Sequence, residues 1–476
     1  MNSAIVMHGI RWNLVTTVIR RGFSLVFLFF LASWLSQSDL GIYRTYSLIL
    51  TIAAVFAILG LDSNYITGKK LQRLNLFAFA QIGTALGLLV SLILALSSAW
   101  LAKLYNSPEL CPILRFTSLF VLVEVLRRLL RSYAQTRLKF RELALGETWN
   151  VLFYCVAGLV AIYFIRKVWV YVVFFYLGNL VETLYLYCVL PPLPYLKLRR
   201  IWSLKWLGYS LGVLKRYRNF LANVSIIRLL NNYAGNAPIL FLGTMVSAAL
   251  MGQYFFATQL IGVPVMMFTL AVGQVFYPVF AQSLPERSLQ SISSYTRLIL
   301  GLGIPILLGY GLLISHLLPH FFGGKWNDSL PLMIYLIPFF GSGMLNDPIS
   351  AIPFVCRKPH LELVWNVVSL GLRLLALAWG MRFGFPIAIL LFSLVSALMN
   401  LAFYIMSLIL LKANLREATL QLLAWSAGLL ILIALLLPLG NFPLAWLWQL
   451  LLIALYILCV LAVSKATYGD FKRLFR

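Results

Sequence analysis

Residues 11–35 read RWNLVTTVIRRGFSLVFLFFLASWL, an apolar run long enough to cross a bilayer as one helix. Yet Arg20 and Arg21 stand about ten residues inside it, and Arg228 stands at a matching depth in a later apolar run. A charge at the bilayer centre opposes insertion by about 2.5–3.5 kcal/mol, so three oppose it by about 8–10 kcal/mol. A chain that keeps such residues shields them from lipid, and a water-filled cavity or a bound anion is the natural shield. The pattern points to transport of a negatively charged solute.

The rest of the chain has the same character. Apolar residues make up 62% of the 476 and charged residues 11%, too little polar surface for a water-soluble domain of this size. Apolar spans fall at about 11–35, 41–66, 76–101, 111–133, 146–165, 168–190, 219–246, 250–280, 295–318, 329–353, 361–381, 384–411, 418–438 and 444–464. The expected fold is an all-α integral membrane protein with about 14 transmembrane helices. These form two six-helix lobes related by a parallel pseudo-repeat, plus two C-terminal helices. The expected divisions are an N-lobe at 1–190, a basic cytoplasmic linker at 191–218, a C-lobe at 219–411, and the last two spans with a cytoplasmic tail at 412–476.

The formal charge of +25 raises nucleic acid as a partner, but the placement of the basic residues argues against it. With a cytoplasmic N-terminus, 27 of the 38 Lys and Arg fall on the cytoplasmic side, five on the other, and six inside spans. The cytoplasmic set includes the run Arg127 to Arg141 and the run Lys197 to Arg218. This asymmetry places both termini in the cytoplasm of a multi-pass inner-membrane protein. Trp202 and Trp206 of the linker are expected at the interface, among membrane lipids. Five scattered cysteines form no metal or disulfide pattern, and the first span is too long for a signal peptide.

The two halves carry matching landmarks. Arg11-Trp12-Asn13-Leu14 opens the first span and Arg218-Asn219-Phe220-Leu221 the seventh, and ten residues beyond each arginine lie Arg21 and Arg228. Leu40-Gly41-Ile42-Tyr43 opens the second span and Met251-Gly252-Gln253-Tyr254 the eighth, at an offset of 211. Six spans per half keep both halves in the same direction across the membrane, an arrangement used by transporters with a central site.

Polar residues recur at helical spacing in spans one, two, seven and eight. They include Asn13, Thr16, Thr17, Arg20, Arg21 and Ser24; Arg44, Ser47 and Thr51; Ser225, Arg228 and Asn232; and Gln259 and Thr269. Such stripes turn away from lipid, and guanidinium groups suit phosphate through two parallel donors. Arg20, Arg21, Arg44, Arg228, Asn232 and Arg373 are therefore candidate substrate-binding residues. Snorkelling to an interface is the competing reading for Arg20, Arg21, Arg44 and Arg115. Arg373 is too central for that. Among the acids, Glu124 precedes Arg127 and Arg128 by one turn, so an intrahelical ion pair competes with a coupling role. Asp62 and Glu182 lie towards the cytoplasmic ends of their spans. In Asn346-Asp347-Pro348, Asp347 and Pro348 are candidates for a helix break and hinge. A coupling role for these acids with H+ or Na+ stands beside the membrane potential as a source of drive, and no bound cofactor is expected.

Several short motifs carry a resemblance: Leu40-Gly41-Ile42-Tyr43, Leu59-Gly60-Leu61-Asp62, Gly252-Gln253-Tyr254-Phe255-Phe256-Ala257 through Pro264, and Val275-Phe276-Tyr277-Pro278-Val279-Phe280. The chain resembles the polysaccharide transporters, the Wzx-type lipid-linked oligosaccharide flippases of the MOP superfamily, over residues 11–410. The resemblance implies two lobes opening alternately to either side. It implies movement of an undecaprenyl-diphosphate-linked sugar chain to the outer leaflet, with Arg20, Arg21 and Arg228 as the cationic lumen. It also implies glycan polymerase and glycosyltransferases as possible partners, and a lipid-tail groove at the last two spans. A lipid II-type flippase and a multidrug exporter of the same superfamily are the alternatives, although exporters of cations want luminal carboxylates. A membrane glycan polymerase or ligase would need a large external loop, and the connections here are short. No hydrolase or P-loop motif appears, and the four histidines are isolated. A scaffold without transport stays open.

Overall fold

The computed structural model describes residues 20, 22–23, 26–61, 72–190, 207–282, 295–296, 299, 303–346, 349, 352–356 and 358–411. Every regular element among them is helical. After a helical stretch at 26–34 come α1 (Gln37–Ile58), α2 (Gln72–Leu104), α3 (Leu110–Ser118), α4 (Phe120–Thr136), α5 (Phe140–Ile165), α6 (Val168–Val189) and α7 (Leu207–Leu242). Then follow α8 (Ala248–Gln282), α9 (Ile304–Phe322), α10 (Ser329–Tyr335), α11 (Ile337–Asn346), α12 (Ile352–Val355), α13 (Pro359–Gly380) and α14 (Phe385–Leu410). Nine segments of the described residues are long and apolar enough to span a membrane. Large apolar side chains such as Leu96, Phe164, Leu375, Trp379 and Leu398 are mostly exposed on these helices. In water they would be aggregation-prone, whereas hydrocarbon accommodates them without loss. The chain is an all-α membrane protein. The two spans expected at 418–438 and 444–464 lie outside the described residues.

Several boundaries follow from local chemistry. A capping box starts α1: the Ser36 hydroxyl accepts the Asp39 amide, and the Asp39 carboxylate accepts the Ser36 amide, each at 3.1 Å. The helix therefore begins at Gln37, four residues before the apolar run. It ends where Leu59 and Gly60 take positive φ. The fourth span, expected as one helix, is broken between α3 and α4. The Ser91 hydroxyl donates to the Ser118 carbonyl, and the Leu122 amide bonds to Leu119 instead. The tenth span is likewise divided. Pro338 supplies no amide, and the Phe339 amide donates to the Ser393 hydroxyl at 3.0 Å. The same span ends at Asn346, and the next helix starts at Ile352.

The stretch 191–218, read from its charge as a linker, is in part helix. Residues 207–218 continue into the seventh span as the first turns of α7. Their register explains it: Ser210 and Val213 are buried, the Ser210 hydroxyl donates to Gln81 at 2.6 Å, and Tyr217 meets Phe79 edge-on. Positions at i, i+3 and i+7 thus seat this extension on α2, while Lys215, Arg216 and Arg218 remain exposed.

The chain divides into two compact units, Met1–Phe255 and Phe256–Arg476. In the first, α5 packs along α6, α4 packs on α2 and α6, and α7 packs on α1 and α2. In the second, α14 packs against both α11 and α13. Its centre holds Trp326, fully buried and 4.3 Å from the Phe256 ring. A Cβ at Gly380 would lie 2.4 Å from the Ala388 backbone, so the α13–α14 hairpin closes backbone to backbone.

Candidate functional site

The first unit holds two polar sites inside its helices. One gathers the acids and arginines of α4, α5 and α6. Glu124 accepts from Arg127 at 2.7 Å and from Arg128 at 2.7 Å, so the ion pair within one helix is present. Arg127 also donates to Glu182 at 3.1 Å, and Arg131 donates to Glu182 at 2.5 Å and lies 2.8 Å from Glu147. The Asn150 amide donates to both Glu182 and Asn179. The Glu182 side chain is completely buried. Three carboxylates meet three guanidiniums across three helices, so the cluster is formally neutral. Buried charges persist when paired and hydrogen-bonded in this way.

Arg127, Arg128 and Arg131, counted by the charge asymmetry on the cytoplasmic side, lie on α4 and are engaged in its ion pairs, including the expected pair of Glu124 with Arg127 and Arg128. The signal was in the sequence: Arg127 with Arg131, Glu147 with Asn150, and Asn179 with Glu182 each fall one turn apart. What the sequence lacked was the pairing of α4 with α6.

The second site surrounds Arg44, about 10 Å into α1 by helical rise. Its guanidinium donates to the Asn236 side chain of α7 at 2.5 Å and lies 5.6 Å over the Phe255 ring of α8. Its Nε is buried and makes no hydrogen bond. No carboxylate comes within ion-pairing distance of it among the described residues. The neighbouring Tyr43 contacts both Tyr171 and Phe255. Arg44 is thus held by an amide and an aromatic face within the first unit.

One turn earlier, α1 and α8 cross with no side chain between them. A Cβ on Gly41 would fall 1.8 Å from the Ala248 carbonyl oxygen, and one on Gly252 would fall 1.8 Å from that of Gln37. The helices begin at Gln37 and Ala248, which are 211 apart, as are Gly41 and Gly252. Each glycine therefore meets the repeat counterpart of the residue that the other meets. The two contacts are reciprocal at the constant offset of 211 residues seen in the sequence. The Gln253 amide donates to Gln37 at 3.2 Å across the same crossing.

The remaining candidates are more dispersed. Arg20 is partly buried, and its Nε is shut away without a hydrogen bond. Arg228 and Asn232 lie on α7, the helix that supplies Asn236, with Arg228 about 12 Å along the axis from Asn236. Arg373 is in the second unit, buried on α13 with its guanidinium 5.7 Å over Phe339. Arg21, Asp62, Asp347 and Pro348 lie outside the described residues, as do the side chains of Arg228 and Asn232. Among the described residues no cluster of three His, Cys, Asp or Glu is placed to hold a metal ion.

The site is thus an arginine held by neutral partners in a helical membrane fold, beside a helix crossing with no side chain between. The sequence profile of the polysaccharide biosynthesis protein family matches residues 30–331, and the chain belongs to that family. Among characterised relatives, it is 24% identical over 423 residues to the lipopolysaccharide biosynthesis protein WzxC of Escherichia coli (strain K12), covering 87% of this chain and 84% of that one. It is 20% identical over 377 residues to the teichuronic acid biosynthesis protein TuaB of Bacillus subtilis (strain 168), covering 78% and 76%. Among solved structures, the lipid II flippase MurJ in an inward closed conformation superposes with a TM-score of 0.73 at 13% identity, covering 97% of this chain and 99% of that one. An inward-facing multidrug resistance MATE transporter of the MOP superfamily superposes at 0.60 with 12% identity, covering 83% and 94%. These likenesses show that the chain shares the helical fold of those two structures.

Proposed function

We propose that the protein is a flippase, not an enzyme. It carries an undecaprenyl-diphosphate-linked oligosaccharide from the cytoplasmic to the outer leaflet of the cell's inner membrane, with both chain termini in the cytoplasm. The observation that carries this reading is the contrast between the partly buried arginines of the first unit. Those of α4 are neutralised by carboxylates, whereas Arg44 is left with an amide and a ring. A guanidinium kept without a carboxylate retains its capacity for a phosphate ligand.

In this reading, Arg20, Arg21, Arg44 and Arg228, with Asn232, line the path of the diphosphate while the prenyl tail stays in lipid. Arg373, in the second unit, is a further candidate contact for the headgroup. Alternating access moves the headgroup, and the membrane potential or an H+ or Na+ gradient resets the cycle through acids such as Asp62 or Asp347. Glycosyltransferases supply the substrate and a polymerase consumes it. The family and the names of its relatives support a glycan lipid over a cationic drug as cargo.

The test is glycan export in cells lacking the endogenous flippase, with lipid-linked intermediates counted in each leaflet. Single Arg20→Ala, Arg21→Ala and Arg228→Ala variants should each leave the intermediate in the cytoplasmic leaflet, with lysine restoring part of the activity. Normal export by all three variants would remove the cationic path.

A further inference from the structure

A cavity of about 580 Å³ lies in the first unit between the starts of α1, α3 and α6. The charge asymmetry of the sequence assigns this end of the bundle to the outside. Its mouth carries three charges, each where a helix begins: Asp39 in the first turn of α1, Glu109 just before α3 and Lys167 just before α6. Below them the wall is apolar, with Ile113 and Phe116 on one side and Val173 on the other. Phe116 and Trp169 are 49% and 48% exposed, so the slot has an open flank where a membrane helix faces lipid. An exposed tryptophan at the start of a spanning helix marks the headgroup level.

The chemistry of the mouth selects among lipids. Glu109 and Lys167 form no ion pair among the described residues, and Glu109 makes no cap hydrogen bond. Asp39 uses one carboxylate oxygen, Oδ2, on Ser36. Two carboxylates and one ammonium repel a headgroup that carries only negative charge. They suit one that pairs a phosphate with a primary ammonium, the phosphate turned to Lys167 and the helix starts, the ammonium to Glu109 and Asp39. The volume lies within the range of small-molecule sites, and the apolar depth takes the upper part of an acyl chain. We propose that this cavity is a binding site for an aminophospholipid of the outer leaflet, separate from the transport path. The same two carboxylates disfavour a prenyl diphosphate.

The experiment is native mass spectrometry of the full-length protein, released from mixed micelles holding phosphatidylethanolamine and phosphatidylglycerol with identical acyl chains. The wild type should retain the ethanolamine lipid over the glycerol lipid. Glu109→Gln should narrow that preference by about fivefold, the scale of one partly exposed charge pair. Lys167→Gln should weaken retention of both lipids alike, since both carry the phosphate. Val173→Trp, which fills the slot, should lower retention of the ethanolamine lipid by about tenfold while the melting temperature stays near that of the wild type. Equal retention of the two lipids by the wild type would overturn the proposal. So would undiminished binding in both Glu109→Gln and Val173→Trp, or displacement of the phospholipid by added undecaprenyl diphosphate. None of these outcomes depends on glycan export, so failure here is distinguishable from failure of the transport reading.

Discussion

Arg127 and Arg44 sit in the same unit, each a guanidinium among packed helices, and they are held in opposite ways. Arg127 lies between two carboxylates, inside a cluster whose charges cancel. Arg44 has one amide oxygen, one aromatic face and a buried Nε that bonds to nothing. Buried charge of the first kind ties helices together and leaves nothing over for a ligand. Charge of the second kind is under-satisfied, which is the basis for proposing an anion as its partner. The composition of a site matters less than its balance: arginine is common to both, and only Arg44 lacks a carboxylate partner among the described residues.

The largest effect expected from breaking this contrast is at Glu182. Glu182→Ala removes the fully buried acceptor of hydrogen bonds from Arg127, Arg131 and Asn150, leaving Arg127 on Glu124 and Arg131 on Glu147, and breaking such a network costs about 3 kcal/mol. Thermal unfolding of the purified protein should show it, and a variant as stable as the wild type would mean the cluster is not structural. Arg44→Ala should behave oppositely, with a nearly unchanged melt. It should lower glycan export by about 10- to 100-fold, the equivalent of the roughly 1.5–3 kcal/mol of a charge-assisted hydrogen bond. If it unfolds the protein as Glu182→Ala does, the two arginines do not differ in kind. The smallest effect is expected for Gly41→Ala, which drives a methyl group into the Ala248 carbonyl. Forcing the helices apart costs about 1–3 kcal/mol. Cross-linking of a Gln37→Cys, Gln253→Cys pair should fall in that background, and unchanged cross-linking would place the crossing elsewhere.

How much of this was legible in the chain depended on distance along it. Nine spans among the described residues were legible because hydropathy is a local property, and the breaks within spans four and ten include those where Ser91 and Ser393 reach in from other helices. The repeat could be read from Gly41 and Gly252, but that the two glycines touch could not, since 211 residues separate them. The ion pair of Glu124 with Arg127 and Arg128 was legible at one turn of spacing. Its extension to Glu182 was not, because Arg131 and Glu182 are 51 residues apart and meet only when α4 packs on α6. The hold on Arg44 was undecidable for the same reason: Asn236 is 192 residues away.

The crossing of α1 and α8 has a mechanical meaning. Most helix pairs meet through a layer of side chains that yield by changing rotamer, so a small displacement of one helix is partly absorbed before it reaches the next. At Gly41 and Gly252 that layer is missing, and peptide groups bear directly on peptide groups. Peptide planes are stiff. A tilt of either helix about this point is handed to the other without slack, and the joint works as a bearing.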